Sequence, residues 1–98
     1  MLDNLRCGVL RLTAEDHHAN RRYREAAAVY VGIARDHREC GRLDEVLYNA
    51  GVCFQDGRSI TAAITAFGSL RKYYPSSKLA ARALARIGEA NQERLRSA

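Results

Sequence analysis

YREAAAVYVGI (Tyr23–Ile33) and ITAAITAFGSL (Ile60–Leu70) carry one pattern twice, thirty-seven residues apart. Tyr23, Ala26, Tyr30 and Ile33 fall on Ile60, Ala63, Phe67 and Leu70, a matched stripe at i, i+3, i+7 and i+10, the spacing of an amphipathic helix. The same shift aligns Leu10 with Leu47 and Leu84, and Ala14 with Gly51 and Gly88, so a small residue stands four places after each leucine where helices approach closely. Asn20 falls on Gly57, the two residue types that most readily end a helix in the left-handed conformation. Each unit therefore reads as a helix pair.

Five helices are expected, near Leu5–Ala19, Tyr23–His37, Leu43–Asp56, Ser59–Tyr73 and Ser77–Arg96. In YPSSKLAARAL (Tyr74–Leu84), Pro75 stops the fourth helix, and Ser76 and Ser77 offer N-caps to the fifth. The earlier junction, HREC at His37–Cys40, makes the same turn without proline and is expected to be the softer one. Connections this short require antiparallel neighbours, and repeated pairs are expected to stack as a right-handed α-solenoid. The fold class is all-α in a single domain over residues 1–98, with repeat 1 at about 5–40, repeat 2 at about 43–75 and a capping helix at about 77–96.

The formal charge is +5, but acidic residues are interleaved with the arginines, which reads as a mixed solvated surface. A nucleic-acid footprint would be a one-signed stripe with stacking aromatics, so no nucleic-acid partner is expected. No run approaches the roughly twenty apolar residues of a membrane span, so no direct membrane insertion is expected. Asp3, Arg6 and Arg11 interrupt the stretch where a signal peptide would be apolar, so the chain as given reads as untargeted.

Cys7, Cys40 and Cys53 are odd in number and lack CxxC spacing, which argues against a disulfide framework and for free thiols in a reducing compartment. Cys53 beside the buried stripe should be inert, and Cys7 is the candidate for crosslinking. His17, His18, His37 and Cys40 assemble a metal site only on paper, because His17 stands on the stripe where the next unit has Phe54. Tyr23, Tyr30 and Tyr73 read as core or groove-edge packing. With no nucleophile elbow and no phosphate loop, neither catalysis, a cofactor nor a metal is expected.

Leu47, Ala50, Gly51, Phe54, Ala63, Phe67 and Pro75 resemble the tetratricopeptide pattern W-x2-L-G-x2-Y…A-x3-F…P, with leucine for tryptophan and alanine for leucine. The first unit fits more loosely, and the last supplies only a first helix. The longer period and the YP-S-x-x-A-x-x-AL turn are similar to repeats of bacterial envelope proteins such as the Tol-Pal-associated coordinator and outer-membrane assembly lipoproteins. The resemblance points to the bacterial envelope, whereas free cysteines and the missing signal point to the cytoplasm.

The resemblance implies a non-enzymatic adaptor or scaffold that holds a peptide or helix of a partner protein in the groove lined by successive first helices. In chaperone-binding members a basic-and-amide cluster clamps a peptide's terminal carboxylate. Arg11, Asn49, Arg82 and Arg86 occupy matching places, while Glu15 departs from the pattern. Tyr48, an amphipathic aromatic, is the expected anchor, with Val52 beside it. The competing expectation is a structural oligomerisation domain that pairs through apolar end helices. The first helix supports it with Leu2, Leu5, Val9, Leu10 and Leu12, and the fifth has an outer face, Ala81, Ala85 and Ala90, that is only mildly polar.

Overall fold

Helix α1 (Leu2–Ala19), α2 (Tyr23–Asp36), α3 (Leu43–Asp56), α4 (Ile60–Tyr73) and α5 (Leu79–Ser97) follow one another, with a 3₁₀ turn at Arg38–Cys40 between α2 and α3. The structure, a computed structural model, describes the backbone of residues 2–97 and the side chains of residues 4–96. Among the described residues there is no strand, and no helix is long and apolar enough to cross a membrane. Each helix packs on the next, and α3 also meets α5. The molecule measures 47 × 32 × 17 Å, so its thin dimension holds two helices at the usual spacing of about 8–10 Å.

The thirty-seven-residue period extends to the backbone. Arg21 (φ 60°) and Arg58 (φ 64°) are both left-handed. Arg21 N donates to His18 O and Arg22 N to His17 O, and one period later Arg58 N donates to Gln55 O and Ser59 N to Phe54 O. These are matching Schellman caps. Their left-handed residue stands one position beyond the expected Asn20 and Gly57, and Gly57 itself has φ −84°. Each of those two residues has another role. Asn20 Nδ2 donates to the Asp16 carbonyl at 2.8 Å, which also accepts from Asn20 N, and a Cβ on Gly57 would lie 3.0 Å from Tyr23 Cβ. The second-helix ends repeat as well: His37 (φ −131°, ψ 49°) donates to Ile33 O, and Tyr74 (φ −133°, ψ 57°) donates to Leu70 O.

Burial follows the same register. Ala26 and Ala63 are fully buried, as are Ile33 and Leu70, and the rings of Tyr30 and Phe67 fill equivalent places. Val46 and Ala83 present the matching faces of α3 and α5, both at 0% exposure. Gly51 shows why the unit needs a small residue: a Cβ there would stand 2.5 Å from the Phe67 ring. Tyr73 stands at the edge of the fold rather than in its core, lining a depression beside Leu47 and Tyr74. It is the last residue of α4 and is 64% exposed, with Lys72 Nζ 5.3 Å from its ring centre.

Cys7 and Cys40 form a disulfide across 33 residues, which corrects the reading of free thiols; Cys53 alone is free, and it is buried. The junction at His37–Cys40, expected to be the softer one, is tethered at two points. The bridge ties it to α1, and Arg11 Nη2 donates to Gly41 O at 2.8 Å. One period later the same two places hold Asp44 and Ser77, and Ser77 Oγ donates to Asp44 Oδ2 at 2.6 Å, again 33 residues apart. Each unit thus has one clasp from the start of its first helix to the turn after its second, covalent in the first unit and polar in the second.

Ser77 Oγ also accepts from Leu79 N at 3.0 Å, so the serine caps α5, which starts at Leu79 rather than Ser77. The hydroxyl, together with the backbone N–H groups of Asp44 and Glu45, holds the Asp44 carboxyl below its usual range against the opposing effect of partial burial. A depressed carboxylate contributes stability that is complete above its unfolded value near 4 and is lost as pH falls through the lower folded value. Ser77→Ala is expected to cost about 1–2 kcal/mol at pH 7 in urea unfolding. The deficit should shrink below about pH 4, where protonation of Asp44 also weakens the wild-type clasp.

Candidate functional site

Polar side-chain pairs link α1 to α3 and α3 to α5, and they obey the repeat. His18 Nε2 lies 2.8 Å from Asp56 Oδ2 between α1 and α3, and Gln55 Nε2 donates to Glu93 Oε1 at 3.0 Å between α3 and α5. Both pairs span 38 residues, and a shift of one period turns the first into the second. Neighbouring first helices are therefore held by the same two positions in each layer.

At the α3–α5 layer Arg86 completes a network. Its Nε donates to Tyr48 Oη and its Nη1 to Gln55 Oε1, both at 3.2 Å, while its guanidinium lies 5.7 Å from the Tyr48 ring centre. The Tyr48 ring meets Phe67 edge-on with centroids 5.5 Å apart, which ties this surface to the core. Gln55 is only 7% exposed and has both ends of its amide bonded, so the network holds no orphaned polar group. Beside it is an open depression of about 500 Å³ where Arg58, Arg86 and Arg96 face Asp56, Glu89 and Glu93. The charges balance there.

A smaller depression of about 140 Å³ lies at the α1–α3 layer, lined by Glu15, His18, Tyr30, Asn49, Val52 and Cys53. Burial, then the neighbouring Cys53 and Glu15, push the Tyr30 hydroxyl up, with Arg11 opposing. Burial and Asp56 push the Cys53 thiol up to about 11. At neutral pH Tyr30 thus remains a hydrogen-bond donor, and Cys53 remains a thiol with little nucleophilic character, as its place beside the stripe suggests.

The expected binding residues fall into separate groups. Tyr48 and Arg86 touch each other, and Asn49 and Val52 share the smaller depression. Arg11 is bound to the Gly41 carbonyl, and Arg82 is exposed on α5 with no hydrogen bond or ion pair among the described residues. Arg58, Arg96 and Asp56 were not expected at the groove. Arg58 enters it because its left-handed backbone turns the chain there. The histidines outside the core are engaged as well: His17 Nδ1 accepts from Arg22 Nε at 3.0 Å, and the His18 ring meets Tyr23 edge-on. Comparison of the chain with protein-family models, curated proteins and solved structures gives no match.

Proposed function

We propose that this chain is a tetratricopeptide-type interaction module, a right-handed solenoid of two and a half helix pairs. Its first-helix groove binds a peptide or helix of a partner protein. The observation that carries this reading is the Tyr48–Arg86–Gln55–Glu93 network, an aromatic anchor with polar neighbours fixed in place beside an open depression. Tyr48 supplies apolar area with little entropy to lose, since Arg86 and Phe67 already hold its ring. A carboxylate clamp built from Arg11, Asn49, Arg82 and Arg86 would require Arg11 to leave Gly41. The Cys7–Cys40 bridge favours an oxidising compartment, hence the envelope over the cytoplasm.

Peptides selected from a displayed library against the oxidised protein provide the test. Tyr48→Ala is expected to weaken their binding by about tenfold or more, measured by fluorescence anisotropy. Peptides that bind Tyr48→Ala and wild type equally would overturn the groove assignment. A clamp predicts in addition that amidating the peptide's C-terminus costs about as much, and equal affinity for the acid and the amide would exclude it.

The second reading, self-association through an end helix, rests on α1, where Leu5, Val9 and Leu12 are 68%, 55% and 65% exposed at seam spacing. The side chain of Leu2 lies outside the described residues. A dimer in sedimentation velocity that is lost in Leu5→Asp would favour this reading.

A further inference from the structure

Helix α5 carries Ala81, Leu84, Gly88, Asn91 and Leu95 at alternating steps of three and four, a seam for another helix. Shifted back one period this is Asp44, Leu47, Gly51, Phe54 and Arg58 of α3, and shifted back two it is Cys7, Leu10, Ala14, His17 and Arg21 of α1. In both earlier units a second helix covers the seam. Ala14 is fully buried, and Gly51 lies under the Phe67 ring. On α5, by contrast, Leu84 and Leu95 are 51% and 75% exposed, and a Cβ on Gly88 would meet nothing within 4 Å. Among the described residues no helix lies over it.

The ground beside the seam is shaped as in the previous unit. Arg71, Pro75, Ala80, Ala81 and Leu84 line a depression of about 210 Å³ at the α4–α5 corner. One period earlier Ala34, Arg38 and Leu47 stand at the corresponding corner, which Ser69 and Tyr73 of α4 close from the far side. The exposed face thus repeats the pattern of an interface that the chain already forms twice, and among the described residues no helix covers it.

We propose that the α5 seam receives an amphipathic helix of a partner chain, bearing the pattern of α2 and α4. That pattern is a small residue, an aromatic four places on and an aliphatic residue three beyond it, as in Ala26–Tyr30–Ile33 and Ala63–Phe67–Leu70. The aromatic ring takes the open place above Gly88, as Phe67 does above Gly51, and the helix runs antiparallel to α5 with its last turn in the Arg71–Pro75 corner. This surface is separate from the first-helix groove and is occupied independently of it.

The chain supplies its own probe. A fluorescein-labelled, acetylated and amidated peptide of residues 59–74 is titrated against the full oxidised protein and followed by anisotropy and by gain of helicity. Saturable binding is expected. Phe67→Ala in the peptide, and either Leu84→Asp or Gly88→Lys in the protein, should each weaken it by about tenfold or more. Both protein positions are exposed, so melting temperatures should stay near wild type, and Tyr48→Ala in the groove should leave this affinity unchanged. Absence of saturable binding, or binding indifferent to both protein variants, overturns the proposal. A concentration-dependent dimer that Leu84→Asp dissolves would also overturn it, because the occupant would then be a second copy.

Discussion

Phe67→Ala is expected to lower the folding free energy by about 3–5 kcal/mol, a large share of the 5–15 kcal/mol available to a domain of this size. Phe67 is fully buried and takes part in three relations at once. It caps Gly51 of α3, meets Tyr48 edge-on and joins the core cluster with Ala63, Leu70 and Ala83. Removing the ring opens a cavity where α3, α4 and α5 converge, and the surrounding helices cannot collapse onto it without breaking register. Urea unfolding followed by circular dichroism measures the loss.

The same ring sets opposite outcomes for two equivalent glycines. Gly51→Ala drives a Cβ to 2.5 Å from Phe67 and is expected to destabilise by about 1–3 kcal/mol, despite the better helix propensity of alanine. Gly88→Ala meets open space and is expected to be neutral or to stabilise by up to about 1 kcal/mol. Equal effects at the two positions would mean that the covering of the α3 seam by α4 is misplaced.

Reduction of Cys7–Cys40 is the second large effect. Closing a loop of 33 residues removes enough entropy from the unfolded chain to stabilise by about 3.5 kcal/mol in the chain-entropy treatment. Cys40→Ser should therefore lower the melting temperature by roughly 15–25 °C, since about 1 kcal/mol corresponds to 4–8 °C in a domain this small. Thiol titration in denaturant without reductant should find one reactive group, Cys53, and three after reduction. Three before reduction would remove the bridge from the account.

Much of the fold was legible because the apolar stripe of each helix is strongly periodic. Tyr23, Ala26, Tyr30 and Ile33 fall on Ile60, Ala63, Phe67 and Leu70 with little ambiguity, and the start of α2 and both ends of α3 lie where the sequence places them. The clasps were hidden for a chemical reason. Cysteine–cysteine and aspartate–serine share no residue type, so the equivalence of Cys7–Cys40 with Asp44–Ser77 emerges only when positions are compared in space. The caps misled in a similar way. Asn20 and Gly57 are the usual left-handed residues, yet arginine takes that conformation at 21 and 58, at a cost of about 1–2 kcal/mol each, offset by two backbone hydrogen bonds per cap.

The candidate groove was half legible. Tyr48 and Arg86 stood out as an aromatic and a cation on first helices, but their mutual contact depends on an offset of 38 residues between layers, one more than the sequence period. His18–Asp56, Tyr48–Arg86 and Gln55–Glu93 each join a position to the one after its equivalent in the next unit, whereas Gln55–Arg86 spans 31 residues. Self-comparison of the sequence aligns equivalent positions and therefore misses neighbouring ones.

The central claim is that one helix-pair unit occurs twice and begins a third time, down to its caps, clasps and first-helix contacts. Long-range NOEs on the isotopically labelled, oxidised protein test it most directly. The account predicts contacts between the β-protons of Cys7 and Cys40 and of Asp44 and Ser77, and between the side chains of His18 and Asp56 and of Gln55 and Glu93. A spectrum with one member of either equivalent pair and without the other would contradict it.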